Sequence, residues 1–417
     1  MDTATADGGR RTGAGEEERP ERLTVTALPD GLTHGPTRRF LTGTGLPAAA
    51  ADLDFTGLRA GVLEAFAPPG GGESPAGERL FVLGETGYCG SPVVLNGTTG
   101  EVRIAEWSAG RFRGDLLASG LPALAELIDA CEAVTAVAPR AGGRGGPEAV
   151  AEVREEAERR MRAADPRLFA GEAPPAHWDT ALLIRSLHHG ARRGGPDGLM
   201  YEFGPELVEE LASLDGEEGV HRYRPEELPA VLTHEPTRRL LTEVGLPLGG
   251  MFFGVSGEPL RTMAEAHPDA FDDADETGEP EGAEAAPEER GAIADRPYQR
   301  DFVALAWWPH DLVIALDGAT GRLELPDWYD DGEPEAYLNA DLSALLYAVW
   351  TYERLRAEWR RWEYGVGNRT WAVFHPHSLL VSRVDAMIEA IDPEAFRTPG
   401  HSWRQLAEDD HTGGLLA

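Results

Sequence analysis

The chain has 417 residues, with 72 acidic against 38 basic side chains, a formal net charge of -34 and two cysteines. So acidic a surface repels nucleic acid and anionic membrane and attracts basic partners, and Cys89 and Cys131 are too few for a disulfide framework, which points to a reducing compartment. Every basic residue is arginine, so P-loop, Schiff-base and Ser-Lys lysine chemistry are excluded.

The opening residues lack the apolar core of a signal peptide, and no run approaches 18 consecutive apolar residues. A cytoplasmic, non-membrane protein is expected. Residues 1–22 are polar, Gly-rich and charged, and are expected to be a disordered tail.

The next stretch organises the rest. Leu28 to Pro47 and Leu228 to Pro247 share 14 of 20 residues without a gap, at an offset of 200. Self-similarity of this kind means a tandem duplication. Each copy predicts one short helix. Pro36 and Pro236 suit a first turn, which has backbone donors to spare, and Thr33, His34, Thr233 and His234 are placed to cap it. Gly45 and Gly245 stop the helix, with Pro47 and Pro247 beyond. The pairs Arg38-Arg39 and Arg238-Arg239 read as solvated residues that complement the helix dipole, in preference to a phosphate site.

Residues 48–61 carry no clear pattern, and Pro68-Pro69-Gly70-Gly71-Gly72 is a loop. A second repeated block follows, in which Phe81 to Trp107 matches Phe302 to Trp328 at an offset of 221. Apolar runs (Val93-Val94-Leu95; Val313-Ile314-Ala315-Leu316) lead into Asn96-Gly97-Thr98-Thr99-Gly100 and Asp317-Gly318-Ala319-Thr320-Gly321, which supply a left-handed turn. The return strands alternate, with Val102, Ile104, Leu323 and Leu325 inward. A helix follows in each copy: Leu121, Leu124, Leu127, Ile128, Cys131 and Val134 share one face, as do Leu342, Leu345, Leu346, Val349 and Tyr352. Asp165-Pro166 with Phe169 and Trp178 corresponds to Asp392-Pro393 with Phe396 and Trp403.

These matches divide the chain into domains at 23–190 and 223–417, joined by a linker at 191–222. The second copy alone carries an acidic insertion, about 269–290, expected to be disordered. Its Asp273, Asp275, Gly278 and Glu284 loosely fit a Ca²⁺ loop, but Pro280 interrupts the pattern and no amphipathic helix flanks it. His375, His377, His401 and His411 lie near Asp409 and Asp410 without zinc spacing, and no nucleophile elbow is present. No catalytic, cofactor-binding or metal residues are therefore assigned.

The helix motif Leu-Thr-His-x-Pro-Thr-Arg-Arg-x-Leu-Thr-x-x-Gly-Leu-Pro, the Asp/Asn-Gly-x-Thr-Gly hairpin and the closing Asp-Pro…Phe…Trp together resemble the SUKH superfamily, in its fourth immunity-protein subgroup of bacterial polymorphic toxin systems. The resemblance implies an α+β fold, two tandem SUKH-like domains each with a mixed β-sheet flanked by helices. It also implies a protein that binds and neutralises a toxin, such as a nuclease or nucleic-acid deaminase, without catalysis. A toxin acting on nucleic acid is basic, which suits the acidity of this chain. Aromatic residues are favoured anchors, so Trp307, Trp308, Trp328 and Tyr329, beside Asp330 and Asp331, are the candidate contact residues. The first copy has Thr86-Gly87 where Trp307-Trp308 stand, which suggests a structural role for it. Two other readings are a regulatory scaffold for cell proteins and a metal-dependent enzyme built on the C-terminal histidines.

Overall fold

The computed structural model describes residues 20–67, 78–108, 111–137, 145–171, 175–195, 198–214, 216, 219–250, 253–271, 296–309, 312–326, 336–364 and 373–403. The chain divides into two compact units, the first made of residues 1–129 and 164–172, the second of 130–163 and 173–417.

In the first unit α1 (Gly35–Gly43) precedes β1 (Ala49–Ala50), β2 (Leu53–Asp54), α2 (Thr56–Arg59), β3 (Leu80–Thr86), β4 (Pro92–Asn96), β5 (Val102–Ser108) and β6 (Arg111–Ala118). The six strands lie side by side in chain order. Helix α3 (Leu121–Ala136) follows, its residues from 130 on belonging to the second unit, as do those of α4 (Pro147–Ala164) up to 163. The second unit takes α5 (Ala176–Ser186), β7 (Arg192–Arg193), β8 (Tyr201–Glu202), α6 (Pro205–Leu214), β9 (Val220–His221), α7 (Glu235–Arg239) and β10 (Leu246–Pro247). It continues with β11 (Arg261–Thr262), α8 (Met263–Ala266), α9 (Pro268–Phe271), β12 (Val303–Trp308), β13 (Leu312–Leu316), β14 (Leu323–Glu324), β15 (Tyr337–Asn339), α10 (Leu342–Tyr364) and α11 (Pro376–Ile391). Strands β11 to β15 again form a sheet in chain order.

Every pairing between these named strands is antiparallel, where a mixed sheet was expected. From β3 to β6 and from β12 to β14 successive strands join through turns or short segments, which excludes parallel pairing because a parallel pair needs a long crossover; the longer connections β2 to β3 and β11 to β12 also return antiparallel.

The two repeated motifs are one packing unit. Backbone N–H groups of Thr33 and His34 both donate to the Gly97 carbonyl in the hairpin turn, at 2.9 Å each. Their counterparts Thr233 and His234 donate to Gly318 at 2.8 and 2.9 Å. The helix start is thus tied to the turn, which closes itself by Asn96 Oδ1 accepting from Thr98 and Thr99, and by Asp317 accepting from Ala319 and Thr320. The histidine rings do not cap a backbone N–H as expected. Their Nδ1 atoms instead meet Thr37 and Thr237 Oγ1 at 2.8 Å, over the glycines that end the turn. A Cβ on Gly100 (φ 81°) would lie 2.3 Å from His34 Nδ1, and one on Gly321 (φ 83°) 2.4 Å from His234 Nδ1. Arg38 and Arg238 are likewise structural, each donating to the carbonyl of Leu32 or Leu232 at 2.9 Å.

The closing Asp-Pro pairs do parallel work. Asp165 accepts from the Ser119 N–H at 2.6 Å and Asp392 from the Ala340 N–H at 2.8 Å, so each carboxylate fixes the corner between the last strand and the long helix. All eleven helix-face residues of α3 and α10 named above are buried. In α10 the charged pair Arg356 and Glu353 is also buried, with Nε 3.1 Å from Oε2.

Three sequence expectations change. The stretch 191–222 is more than a linker: it holds β7, β8, α6 and β9, and Tyr201 docks through its hydroxyl on the Ile391 carbonyl (2.9 Å). Residues 269–271 of the acidic insertion are helical, with Phe271 buried beside Met263 and Ala315. The remainder of that loop, including the Ca²⁺-like residues, lies outside the described residues, as does the tail up to residue 19; Glu21 already pairs with Leu46.

The third change is one of register. Phe81 pairs with Leu95, while it is Val303, not Phe302, that pairs with Leu316. Along the first strand of the hairpin the true offset is therefore 222, and the burial patterns then agree at every position but one, where Glu85 is exposed and Trp307 half-buried. A one-residue slip exchanges the two faces of a strand. It follows that Trp307 corresponds to Glu85 and Trp308 to Thr86, correcting the expected match to Thr86-Gly87.

Candidate protein-binding cleft

The register places the two tryptophans on opposite faces of β12. Trp308 is 1% exposed and packs edge-on against Trp403, with ring centroids 5.3 Å apart, so it belongs to the core rather than to a contact surface. Trp307 is half-buried on the other face, and its Nε1 donates to the Gly250 carbonyl at 3.1 Å, which fixes the ring. Gly254 makes room for it, since a Cβ there would come 2.8 Å from the ring. Trp328, Tyr329, Asp330 and Asp331 lie outside the described residues.

Trp307 borders a cleft of about 310 Å³ in the second unit. The floor is β12, through Ala304, Leu305 and Ala306, and the rim is the segment Val255 to Arg261 together with His267. Tyr223 closes the far wall. Comparison of the two copies explains why the cleft exists. In the first, Asp54 pairs with Glu85 and Ala65 with Phe81, and helix α2 fills the interval between these two points. Gly57 of α2 lies so close to β3 that a Cβ would meet the Val82 carbonyl oxygen at 2.7 Å. In the second copy the equivalent points are Gly254 with Trp307 and Thr262 with Val303, and the interval is three residues shorter. Pro259 stands within it, and Ser256 to Leu260 is not helical. The strand positions that α2 covers in one copy therefore line an open cleft in the other.

The chemistry of the cleft is mixed. Tyr223 is 2% exposed, and its buried hydroxyl makes no hydrogen bond among the described residues. Burial, and then the nearby Glu227 carboxylate, push that hydroxyl's pKa upward, so it stays protonated. The Tyr223 ring packs edge-on against His221 at 4.4 Å, and His221 Nε2 is 3.8 Å from Glu227 Oε2. Hydrogen bonds from the Arg224 side chain and backbone hold Glu227 below the usual carboxylate range. At the rim, Glu258 and Arg261 face each other at 4.0 Å, both largely exposed. Burial lowers the pKa of His267, so it is neutral near pH 7.

Such a surface, with a buried hydroxyl, an aromatic ring and a rim carboxylate, can bind and orient a partner group. Among the described residues no group of three or more His, Cys, Asp and Glu side chains is placed to hold a metal ion. His401 packs on Phe396 at 4.2 Å, while His375 caps α11 through its ring nitrogen. Among the described residues, no helix is long and apolar enough to cross a membrane.

The sequence pointed to Trp307 but not to the cleft beside it. Tyr223, Glu258 and Leu260 were missed, although a signal was present for the first: at the offset of 200, Tyr223 replaces Leu23. A hydroxyl-bearing residue in one copy against an apolar one in the other marks a buried position that has gained a polar group.

The family model for the SUKH-4 immunity protein matches this chain twice, over residues 11–183 and 207–409. No curated protein and no solved structure matches it.

Proposed function

The chain belongs to the SUKH-4 immunity protein family, and from that premise we propose that it neutralises a toxin by binding it one to one and covering its working surface, without turnover. The partner in this reading is a basic toxin that acts on nucleic acid, such as a nuclease or deaminase, encoded beside the immunity gene and met in the cytoplasm. The net charge of -34 supports it, because an acidic protein is steered toward a basic groove and competes there with nucleic acid.

The second domain is the binding copy in this proposal. The observation that carries it is the cleft beside Trp307, open in the second copy and filled by α2 in the first. Interface energy concentrates in a few aromatic and arginine anchors seated in pockets, and a fixed, half-buried tryptophan at a cleft mouth has that character. Trp328, Tyr329, Asp330 and Asp331 are kept as proposed contact residues on their aromatic and acidic chemistry alone. The first domain keeps the helix-to-hairpin lock and serves as scaffold.

The test is association of the purified chain with the toxin encoded next to it, followed by surface capture at increasing salt. The expected result is a complex that Trp307→Ala weakens by at least about tenfold, the loss of a hot-spot side chain. Its association rate falls steeply toward about 0.5 M salt, where screening shortens to a few Å. Absence of any complex would remove the proposal, and a salt-independent rate would assign the acidity to solubility alone.

A further inference from the structure

The Tyr223 hydroxyl is the polar group within the described cleft that the fold leaves unused. A buried hydroxyl without a partner is costly, and native proteins rarely keep one without a use for it. The first copy has Leu23 at this position, so the domain folds without the hydroxyl. The strand register sets Trp307 against Glu85, and Glu258 stands in the shortened segment that takes the place of α2. The second copy thus gathers around one cleft an aromatic wall, a carboxylate and a buried hydroxyl without a hydrogen-bond partner among the described residues. Among the described residues the Glu258 carboxylate pairs only with Arg261, at 4.0 Å with both side chains more than half exposed. A pair that long and that wet contributes little and exchanges readily.

We infer that the cleft is a socket for an arginine side chain presented by the partner. The aliphatic stem lies along Trp307 and Leu260, and the guanidinium donates to the Tyr223 hydroxyl and to Glu258. This deepens the toxin-binding reading and rests on it. An arginine fits for three reasons. Its planar fork carries several N–H donors and can satisfy two acceptors at once, where lysine offers a compact point charge. Its face stacks on tryptophan. Its charge is drawn by a chain of net charge -34. A carboxylate side chain would meet Glu258 and the overall negative field, and an apolar side chain would leave the Tyr223 hydroxyl unpaired.

The experiment uses the full chain with ¹⁵N-labelled tryptophan and follows the Trp307 indole N–H signal, assigned with Trp307→Phe. Capped pentapeptides Gly-Gly-X-Gly-Gly, with X arginine, citrulline, lysine or glutamate, are titrated against it. The arginine peptide is expected to shift the signal saturably. Citrulline, which keeps the shape and loses the charge, should bind about tenfold more weakly, the weight of a charged hydrogen bond. Tyr223→Phe and the surface variant Glu258→Gln should each weaken the arginine peptide severalfold, and Tyr223→Leu, which copies the first domain, should do the same. No saturable shift with the arginine peptide overturns the inference. So does an equal response to citrulline, lysine or glutamate, or an arginine affinity untouched by both Tyr223→Phe and Glu258→Gln. If the neighbouring toxin binds while the arginine peptide does not, the socket is wrong and the toxin-binding reading stands; if the peptide binds and no toxin does, the reverse holds.

Discussion

Gly321→Ala tests the tie between helix and hairpin. At φ 83° the added Cβ costs about 1–2 kcal/mol of backbone strain by itself. It would also lie 2.4 Å from His234 Nδ1 and 3.1 Å from Thr237 Oγ1, so the ring must move and its 2.8 Å contact with Thr237 is lost. A lost hydrogen bond adds about 0.5–1.5 kcal/mol, for a total of about 2–3 kcal/mol. In a His234→Ala background the ring is gone and only the strain remains, so the same substitution should cost about 1–2 kcal/mol. The double-mutant cycle therefore has a coupling energy of about 1 kcal/mol. The equivalent cycle of Gly100→Ala with His34→Ala should give the same answer in the first unit. Urea unfolding measures the totals, and amide hydrogen exchange assigns each loss to its own unit. If Gly321→Ala costs the same with and without His234, the ring is not the element that the turn closes on and the argument fails.

Removing one member of the buried pair in α10 should be severe: Arg356→Met takes the guanidinium from beside the buried Glu353 carboxylate and should cost about 3–5 kcal/mol in urea unfolding, while Arg356→Met with Glu353→Leu should recover most of it. Asp392→Ala leaves the Ala340 N–H and the Asn339 side chain without an acceptor and should cost about 2–4 kcal/mol, with Asp392→Asn in between. For pH, the folded pKa of His267 lies below its unfolded value near 6.5 because of burial, so the folded state binds fewer protons there. Its contribution is intact above about pH 6.5 and is lost as pH falls through the lowered folded value; His267→Gln should flatten that part of the stability profile. Glu101, held low first by its hydrogen bond from Arg103, acts in a separate window, keeping its contribution above the ordinary glutamate range and losing it as pH falls further.

The duplication was legible because packing imposes it twice. Thr33, His34, Thr37, Gly97 and Gly100 recur at fixed offsets since each touches another member of the set, and altering one disturbs the rest. The amphipathic faces of α3 and α10 were legible for the ordinary reason that helical spacing gathers apolar residues on one side. What the sequence did not reveal depends on long-range geometry. The strand slip that sends Trp308 inward and leaves Trp307 on the cleft follows from a hairpin loop one residue shorter in the second copy; the bulges between Val82 and Gly84 and between Ala304 and Ala306 fall at equivalent positions. Identical Phe-Val pairs at an offset of 221 hid it. The cleft itself comes from shortening the path between Gly254 and Thr262, a change visible only once the strand partners of both ends are known. Residues 191–222 read as linker because their Gly and charge content is high, yet Tyr201 and α6 pack into the second unit.

The most direct test is titration of the neighbouring toxin's nuclease or deaminase activity with the purified chain. Activity should fall in a straight line and vanish at about one immunity protein per toxin, returning when the complex is dissociated. Residual activity at a large excess, or permanent inactivation by far less than one equivalent, would contradict neutralisation by occupancy.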